Sequence, residues 1–331
     1  MKVVIPGGTG QVGTVLGRAL RGDGHEVVVL TRRAGGEGQV SWDGERLGPW
    51  AREVDGSDVV ITLAGRSVSC RHPKGNLTAM MRSRVRSARV AGQAIAAASR
   101  PPRAWLQMST ATIYAHTHGA PNDDVTGVIG GSEDGVPGYW AFSVDIARAW
   151  ERELDAATVP VTRKVALRAA MVMTPGEGGV FDVLSRMARL GLGGPVGGGR
   201  QYGSWIHEDD FTAAVRFIID HDVLAGPVNL AAPGPVRQRD LMRELRAAGG
   251  VPAGLPATRW MAELGALALR TDTELLLKSR RVVPGLLTAA GLEFRHGTWP
   301  EAARDLVQRA RRRDTARSRG DRPDGRVKRR D

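Results

Sequence analysis

Three glycines, Gly7, Gly10 and Gly13 in "PGGTGQVG", follow the apolar run "KVVI" and open a helical pattern that continues to Arg21. In that order each glycine has a distinct role, with a tight turn at Gly7, close approach of backbone to a pyrophosphate at Gly10, and packing of helix on strand at Gly13, the helix N-terminus facing the anion. Thr9, Gln11 and Val12 belong to the same turn and are expected to line it. Set between a strand and a helix, the triplet points to a bound dinucleotide.

The second apolar run ends "VVVLTRR". After Thr31, where an acidic residue would hold a ribose 2′-hydroxyl, stand Arg32 and Arg33. A guanidinium suits a 2′-phosphate through paired, charge-assisted hydrogen bonds, so NADP(H) is the expected cofactor. The competing reading is a pair of surface arginines after a strand. In "DVVITLAG", Ala64 and Gly65 are small enough to let backbone approach the cofactor.

A nicotinamide cofactor implies hydride chemistry, which leaves an alkoxide to protonate, and a tyrosine near pKa 10 needs a neighbouring cation for that work. Tyr139 in "PGYWAFSVDIARAW" is followed four residues on by Ser143, and Arg148 lies about 180° round a helix axis. Phe142, Ile146, Trp150 and Leu154 form a stripe that marks a core-packed helix face. Tyr139 is therefore set aside as the acid. Ser109, which ends the run "AWLQMST", is expected to meet the substrate oxygen, and Tyr114, a few residues on, is the candidate proton donor. His116 and His118, near Asp123 and Asp124, have the ligand types of a zinc site, but a loop His-x-His with nothing else anchored is more often bland, and no metal is expected. Asp210 in "WIHEDDF" is expected to cap or orient the next helix, with His207 beside it.

Strand-like runs alternate with helical patterns through the first two thirds of the chain, which predicts an α/β fold: a doubly wound parallel sheet with helices on both faces. A Rossmann domain is expected over residues 1–175, with the sheet continuing to about 232. A small, mostly helical lobe on the substrate side follows over 176–308, and a basic, disordered tail over 309–331. The chain has 331 residues, 42% of them hydrophobic, and a net charge of +12. The tail holds 11 Lys or Arg against 4 Asp, so +7 of that charge is confined to it and about +5 is left for the rest. Without apolar residues to dock, it reads as a solubilising extension, with nucleic-acid binding ranked third among the functions considered. The single cysteine, Cys70, rules out an internal disulfide and suits a reducing compartment. With no apolar run near 18 residues and too short an N-terminal one for a signal peptide, the expected location is the cytoplasm and no membrane partner is expected.

With "GGTGQVG", "TRR", "LAG" and "GLGGPVGGGRQYGSWIHEDD" in order, the chain resembles the atypical short-chain dehydrogenase/reductases of the epimerase-family branch. The resemblance runs from residue 1 to about 308 and takes in "SRVRSAR", "GPVNLAAPGPV" and "LLLKSRRVVPGLLTAAGLEFR", the last two typical of a C-terminal domain of unknown function. It implies an NADP(H)-binding extended Rossmann fold, with cofactor contacts at Thr31, Arg32, Leu63, Ala64, Arg84 and Val172. Arg84 on the long helix suits a cofactor phosphate, and reads equally well as one solvated charge among Arg82, Arg86 and Arg89. Related reductases place a substrate-bonding hydroxyl where Ser109 stands, and the branch shares the departure at Ser143. The expected function is an NADP(H)-dependent oxidoreductase or epimerase-like enzyme acting on an unidentified small molecule. The alternative is a non-catalytic NADP(H)-binding regulatory or scaffold protein.

Overall fold

The structure, a computed structural model, describes residues 1–66, 74–256 and 274–320; Cys70 lies outside them. The chain enters through β1 (Lys2–Pro6), α1 (Gln11–Gly22), β2 (Glu26–Thr31) and β3 (Gln39–Ser41), then turns back through β4 (Val59–Thr62), α2 (Lys74–Ala97), β5 (Ala104–Thr110), α3 (Ala141–Ala156) and β6 (Arg163–Ala169). Short strands β7 (Met171–Met173), β8 (Tyr202–Gly203) and β9 (Trp205–His207) flank α4 (Val180–Arg189) and lead into α5 (Glu208–Asp220) and β10 (Gly226–Leu230). The remainder is β11 (Val236–Arg237), α6 (Gln238–Gly249), α7 (Glu274–Leu277), α8 (Gly285–Ala289) and α9 (Trp299–Gly320).

Seven strands form one sheet in the order β10-β6-β5-β4-β1-β2-β3, and every pairing within it is parallel. Parallel strands need covered faces, and the runs "VVIP", "VVVLT" and "VVIT" are buried accordingly. One face packs Leu16, Leu20, Phe211, Val215 and Ile218 from α1 and α5 against Val3, Ile5 and Val29. The other sets Val90, Ala94 and Leu154 from α2 and α3 against Val4, Val28, Val60 and Trp105. The winding reverses between β1 and β4, the switch point at which doubly wound sheets open a crevice.

The lobe has its own core, Phe181, Leu184, Trp205, Leu241, Trp299 and Leu306. Here the structure corrects one expectation. The segment from Arg309 is helical as far as Gly320, because α9 carries straight on from its buried Trp299, Ala302, Ala303 and Leu306. Arg309 itself is pinned by Asp209 and Asp305.

Candidate active site

The glycine turn sits at the switch point. Gly7 has φ +81°, and a Cβ there would come within 2.6 Å of the Ala64 backbone at the end of β4. At Gly13 a Cβ would meet Gly8 backbone at 2.6 Å, so that glycine is needed for packing the helix on the turn. Gly10 differs: a Cβ would meet only the Gly7 carbonyl, at 3.7 Å, which leaves open ground at the N-terminus of α1. No side chain caps that helix, so its first N–H groups face that ground as anion donors. A dinucleotide phosphate fits this cradle.

Around the turn, the Thr9 hydroxyl lies 3.4 Å from that of Thr31 at the end of β2, and Gln11 donates to the Gly176 carbonyl after β7. Val12, Leu63 and Val172 are half-buried against the core and form an apolar floor. Arg32 and Arg33 follow Thr31 at the carboxyl end of β2, exposed. Arg84 reaches from α2 to the "LAG" turn, where a Cβ on Gly65 would meet its side chain at 3.2 Å, and its guanidinium lies over the Trp150 ring at 5.1 Å. The cofactor candidates from all three strand ends thus converge on one edge of the sheet.

The catalytic candidates are placed differently. Ser109 is 3% exposed and Tyr114 1%. The Ser109 hydroxyl donates to Glu151 Oε1 at 2.5 Å, and Glu151 takes two hydrogen bonds from Arg168, from Nε at 2.9 Å and Nη2 at 2.8 Å. Arg168 Nη1 also donates to the Tyr114 hydroxyl, which donates to Asn229 Oδ1 at 2.8 Å. The two expected site residues belong to one buried network that ties β5, α3, β6 and β10 together. Burial pushes the Tyr114 phenol up from its ordinary value, against an easy proton transfer. The expectation that these hydroxyls face a substrate is corrected on that ground: both are engaged inside the protein.

The signal for this network lay in α3. Val144, Ala147, Glu151 and Leu154 occupy one buried helix face, and a carboxylate within an apolar stripe calls for a buried partner. Tyr139 precedes α3 in a 3₁₀ turn and is 53% exposed. Arg148 instead donates to the Gly130 carbonyl.

A cation does reach this region, from a part of the chain that sequence spacing could not connect to it. The Ser143 hydroxyl donates to Glu274 Oε2 at 2.5 Å, and Glu274 Oε1 pairs with Lys278 at 3.4 Å and Arg280 at 3.6 Å. Lys278 Nζ donates to the Thr112 carbonyl, one turn past the end of β5, at 3.1 Å. Beside this cluster opens a cavity of about 500 Å³, lined by His116, His118, Trp140, Arg200, Gln201 and Leu277 among others. Its size is that of a small-molecule pocket. Asp123 and Asp124 point away from the histidines: Asp123 closes the turn to Thr126, and Asp124 accepts from the Asn229 and Leu286 amides.

A second cluster gathers where β9 and α5 meet α9. His207, His296 and Asp305 present ligand atoms within 4.8 Å of one another. His207 Nδ1 accepts from the Asp209 N–H at 3.1 Å and caps α5, so Nε2 carries the proton and donates to Asp305 at 3.0 Å. A metal on that nitrogen would demand an imidazolate, and Arg309 already occupies Asp305 and Asp209. The group serves as a latch for α9. The cap is thus His207, while Asp210 orients the C-terminal segment by accepting from the Arg295 and His296 amides.

Comparison with known proteins agrees with this architecture. Residues 3–231 match the NAD dependent epimerase/dehydratase family, and residues 257–306 match a domain of unknown function, DUF1731. The chain is 30% identical over 320 residues to the mouse epimerase family protein SDR39U1, covering 93% of this chain and all of the relative. It is 29% identical to the Mycobacterium leprae epimerase family protein ML0860, over 91% of this chain and 94% of the relative. The crystal structure of human epimerase family protein SDR39U1 (isoform 2) with NADPH superposes with a TM-score of 0.80 at 27% identity, covering 93% of this chain and 99% of that one. With its glycine turn at the switch point of a parallel sheet and more than half its length matched, the chain belongs to the NAD dependent epimerase/dehydratase family, whose members bind NAD(P).

Proposed function

We propose that the protein binds NADP(H) at the Gly10 turn and moves hydride between it and a small carbonyl or alcohol, as an oxidoreductase or epimerase-like enzyme. The observation that carries the cofactor choice is the exposed Arg32–Arg33 pair at the end of β2, where no carboxylate stands to hold a 2′-hydroxyl. The NADPH held by the human relative's structure supports the same choice. In this reading the α1 N-terminus holds the pyrophosphate, Arg32 the 2′-phosphate, and Arg84 a further phosphate oxygen. The cavity beside Trp140 and Gln201 receives the substrate. The single cysteine suits a reducing compartment, and we take the protein to act in the cytoplasm.

A second reading, a cofactor-binding protein without chemistry, is favoured by the burial of Ser109 and Tyr114. Absorbance at 340 nm separates the two when the protein and NADPH are offered a panel of small aldehydes and ketones. An enzyme oxidises NADPH with at least one of them and loses that turnover in Gly10→Ala. Tight NADPH binding with no turnover across the panel favours the non-catalytic reading.

A further inference from the structure

We propose that the cavity beside Trp140 selects carbonyl substrates that also carry a carboxylate, with Arg200 as the group that binds it. This rests on the reading above, in which that cavity receives the substrate, and names the class of molecule received. Among the described residues that line the cavity there is no Asp or Glu, and Arg200 is the one permanent charge. Its exposed guanidinium makes no hydrogen bond or ion pair among the described residues. Other arginines of the lobe are engaged: Arg237 lies over the Tyr202 ring, Arg243 pairs with Asp240, and Arg281 donates to the Gly119 carbonyl.

An exposed arginine is ordinarily a solvated charge, and what sets Arg200 apart is the fixed backbone beneath it. The Gly199 carbonyl accepts from the Arg239 N–H at 3.1 Å, and the Gln201 carbonyl accepts from the Gln238 N–H at 2.8 Å, so the residues on both sides are tied to the start of α6. Gly199 has φ +64°, and a Cβ there would strike the Arg239 Cβ at 2.7 Å, so glycine is what lets the chain come this close to α6. Gln201 Nε2 donates to the Val196 carbonyl at 3.0 Å and closes the turn. The cation is thus presented to the cavity from an anchored loop.

The rest of the wall offers donors in want of acceptors. His116 Nδ1 accepts from the Ser279 N–H at 2.9 Å, so Nε2 carries the proton. Burial, with His118 beside it, holds the His116 imidazole below its ordinary value against the pull of Glu133, which keeps that Nε2–H an uncharged donor. Trp140 is 4% exposed, and its indole N–H has no acceptor among the described residues. A buried donor left unpaired favours a ligand that brings oxygen to it. The carboxylates near this wall are already engaged, Glu133 with the His116 and Gly131 amides and Glu274 with Ser143, Lys278 and Arg280. One guanidinium among neutral donors matches a single negative charge, and its planar fork matches the two oxygens of a carboxylate. A phosphate dianion would bring a second charge with no second permanent cation on the described wall to meet it.

The test uses two aldehyde acids of different length, 4-formylbenzoate and 3-(4-formylphenyl)propanoate, their primary amides, and 4-formylphenyl phosphate. Each is titrated by calorimetry into the full-length protein, with and without NADPH, at about pH 8, above the ordinary range of histidine. At least one acid should bind on the order of tenfold more tightly than its amide, the scale of a charge-assisted hydrogen-bond pair. Arg200→Gln should erase that difference and leave amide affinity and Tm unchanged, because the side chain has no partner among the described residues to lose. Equal affinity of acids and amides, no binding by either, or a preference that survives in Arg200→Gln overturns the proposal. Tighter binding of the phosphate ester than of both acids overturns it in favour of a phosphate-bearing substrate. NADPH oxidation is followed at 340 nm in the same mixtures. An acid preference without oxidation supports the carboxylate clamp and defeats the hydride-transfer reading, whereas oxidation with no acid preference defeats the clamp alone.

Discussion

Glu151 and Arg168 exchange two hydrogen bonds at a place where both side chains are about nine-tenths buried, so their value is asymmetric. Removing one partner strands the other charge away from water, at a cost of about 3–5 kcal/mol. Glu151→Ala should therefore lower Tm by on the order of 10 °C in a circular-dichroism melt. Tyr139→Phe, at an exposed position outside the network, should leave Tm and NADPH affinity unchanged. The contrast shows what is legible in the residues. The glycine turn and Arg32 can be read from order along the chain because their chemistry is local to a β-α-β unit. Ser109 and Tyr114 do belong together near the end of β5, but the residues that claim their hydroxyls, Glu151, Arg168 and Asn229, come from three other elements. Lys278 is invisible in the sequence for the same reason, since only the fold brings it 166 residues back along the chain to Thr112.

At the scale of the element, the β1–α1 turn makes two opposite demands on glycine. Gly13→Ala forces a Cβ to 2.6 Å from the Gly8 backbone, and either the helix or the turn must shift. Its expected result is destabilisation by about 1–3 kcal/mol, the range for overpacking, read as a lower urea midpoint. Gly10→Ala meets nothing closer than 3.7 Å and should melt like the parent protein. The new methyl nevertheless stands where backbone must approach the pyrophosphate, so NADPH affinity should fall at least tenfold by calorimetry. Equal melting and equal affinity in both variants would show that the turn serves no ligand. Six of the seven strands of the main sheet, α1 and α3 follow from hydrophobic periodicity, whereas the edge strand β3 and the short β8, β9 and β11 carry too few apolar residues to show it. The helical continuation past Arg309 does not, because its anchors are the buried residues of the preceding turns and the carboxylates of the α5 N-terminus rather than any apolar face of its own.

Across the whole molecule, α9 is held to the sheet domain through His207, His296, Asp209, Asp305 and Arg309. Burial, with His296 beside it, holds the His207 imidazole well below its ordinary value of about 6.5. The folded state then binds fewer protons than the unfolded one in this range. The contribution of His207 is complete above about pH 6.5 and is lost as the pH falls below it, by about 1.4 kcal/mol per unit until the folded value is reached. Urea midpoints measured from pH 7.5 to 5 should decline in the parent protein and flatten in His207→Gln. An unchanged slope in the variant would place the pH sensitivity elsewhere.

The central claim, that this sheet edge reads the 2′-phosphate of NADP(H), is tested most directly by a four-way calorimetric cycle of NADPH and NADH against the parent protein and Arg32→Ala. The parent should prefer NADPH by about 1–3 kcal/mol, the scale of charged hydrogen bonds, and Arg32→Ala should lose most of that preference while binding NADH as before. Equal affinity of the parent for the two cofactors, or a preference for NADPH that survives in Arg32→Ala, would contradict it.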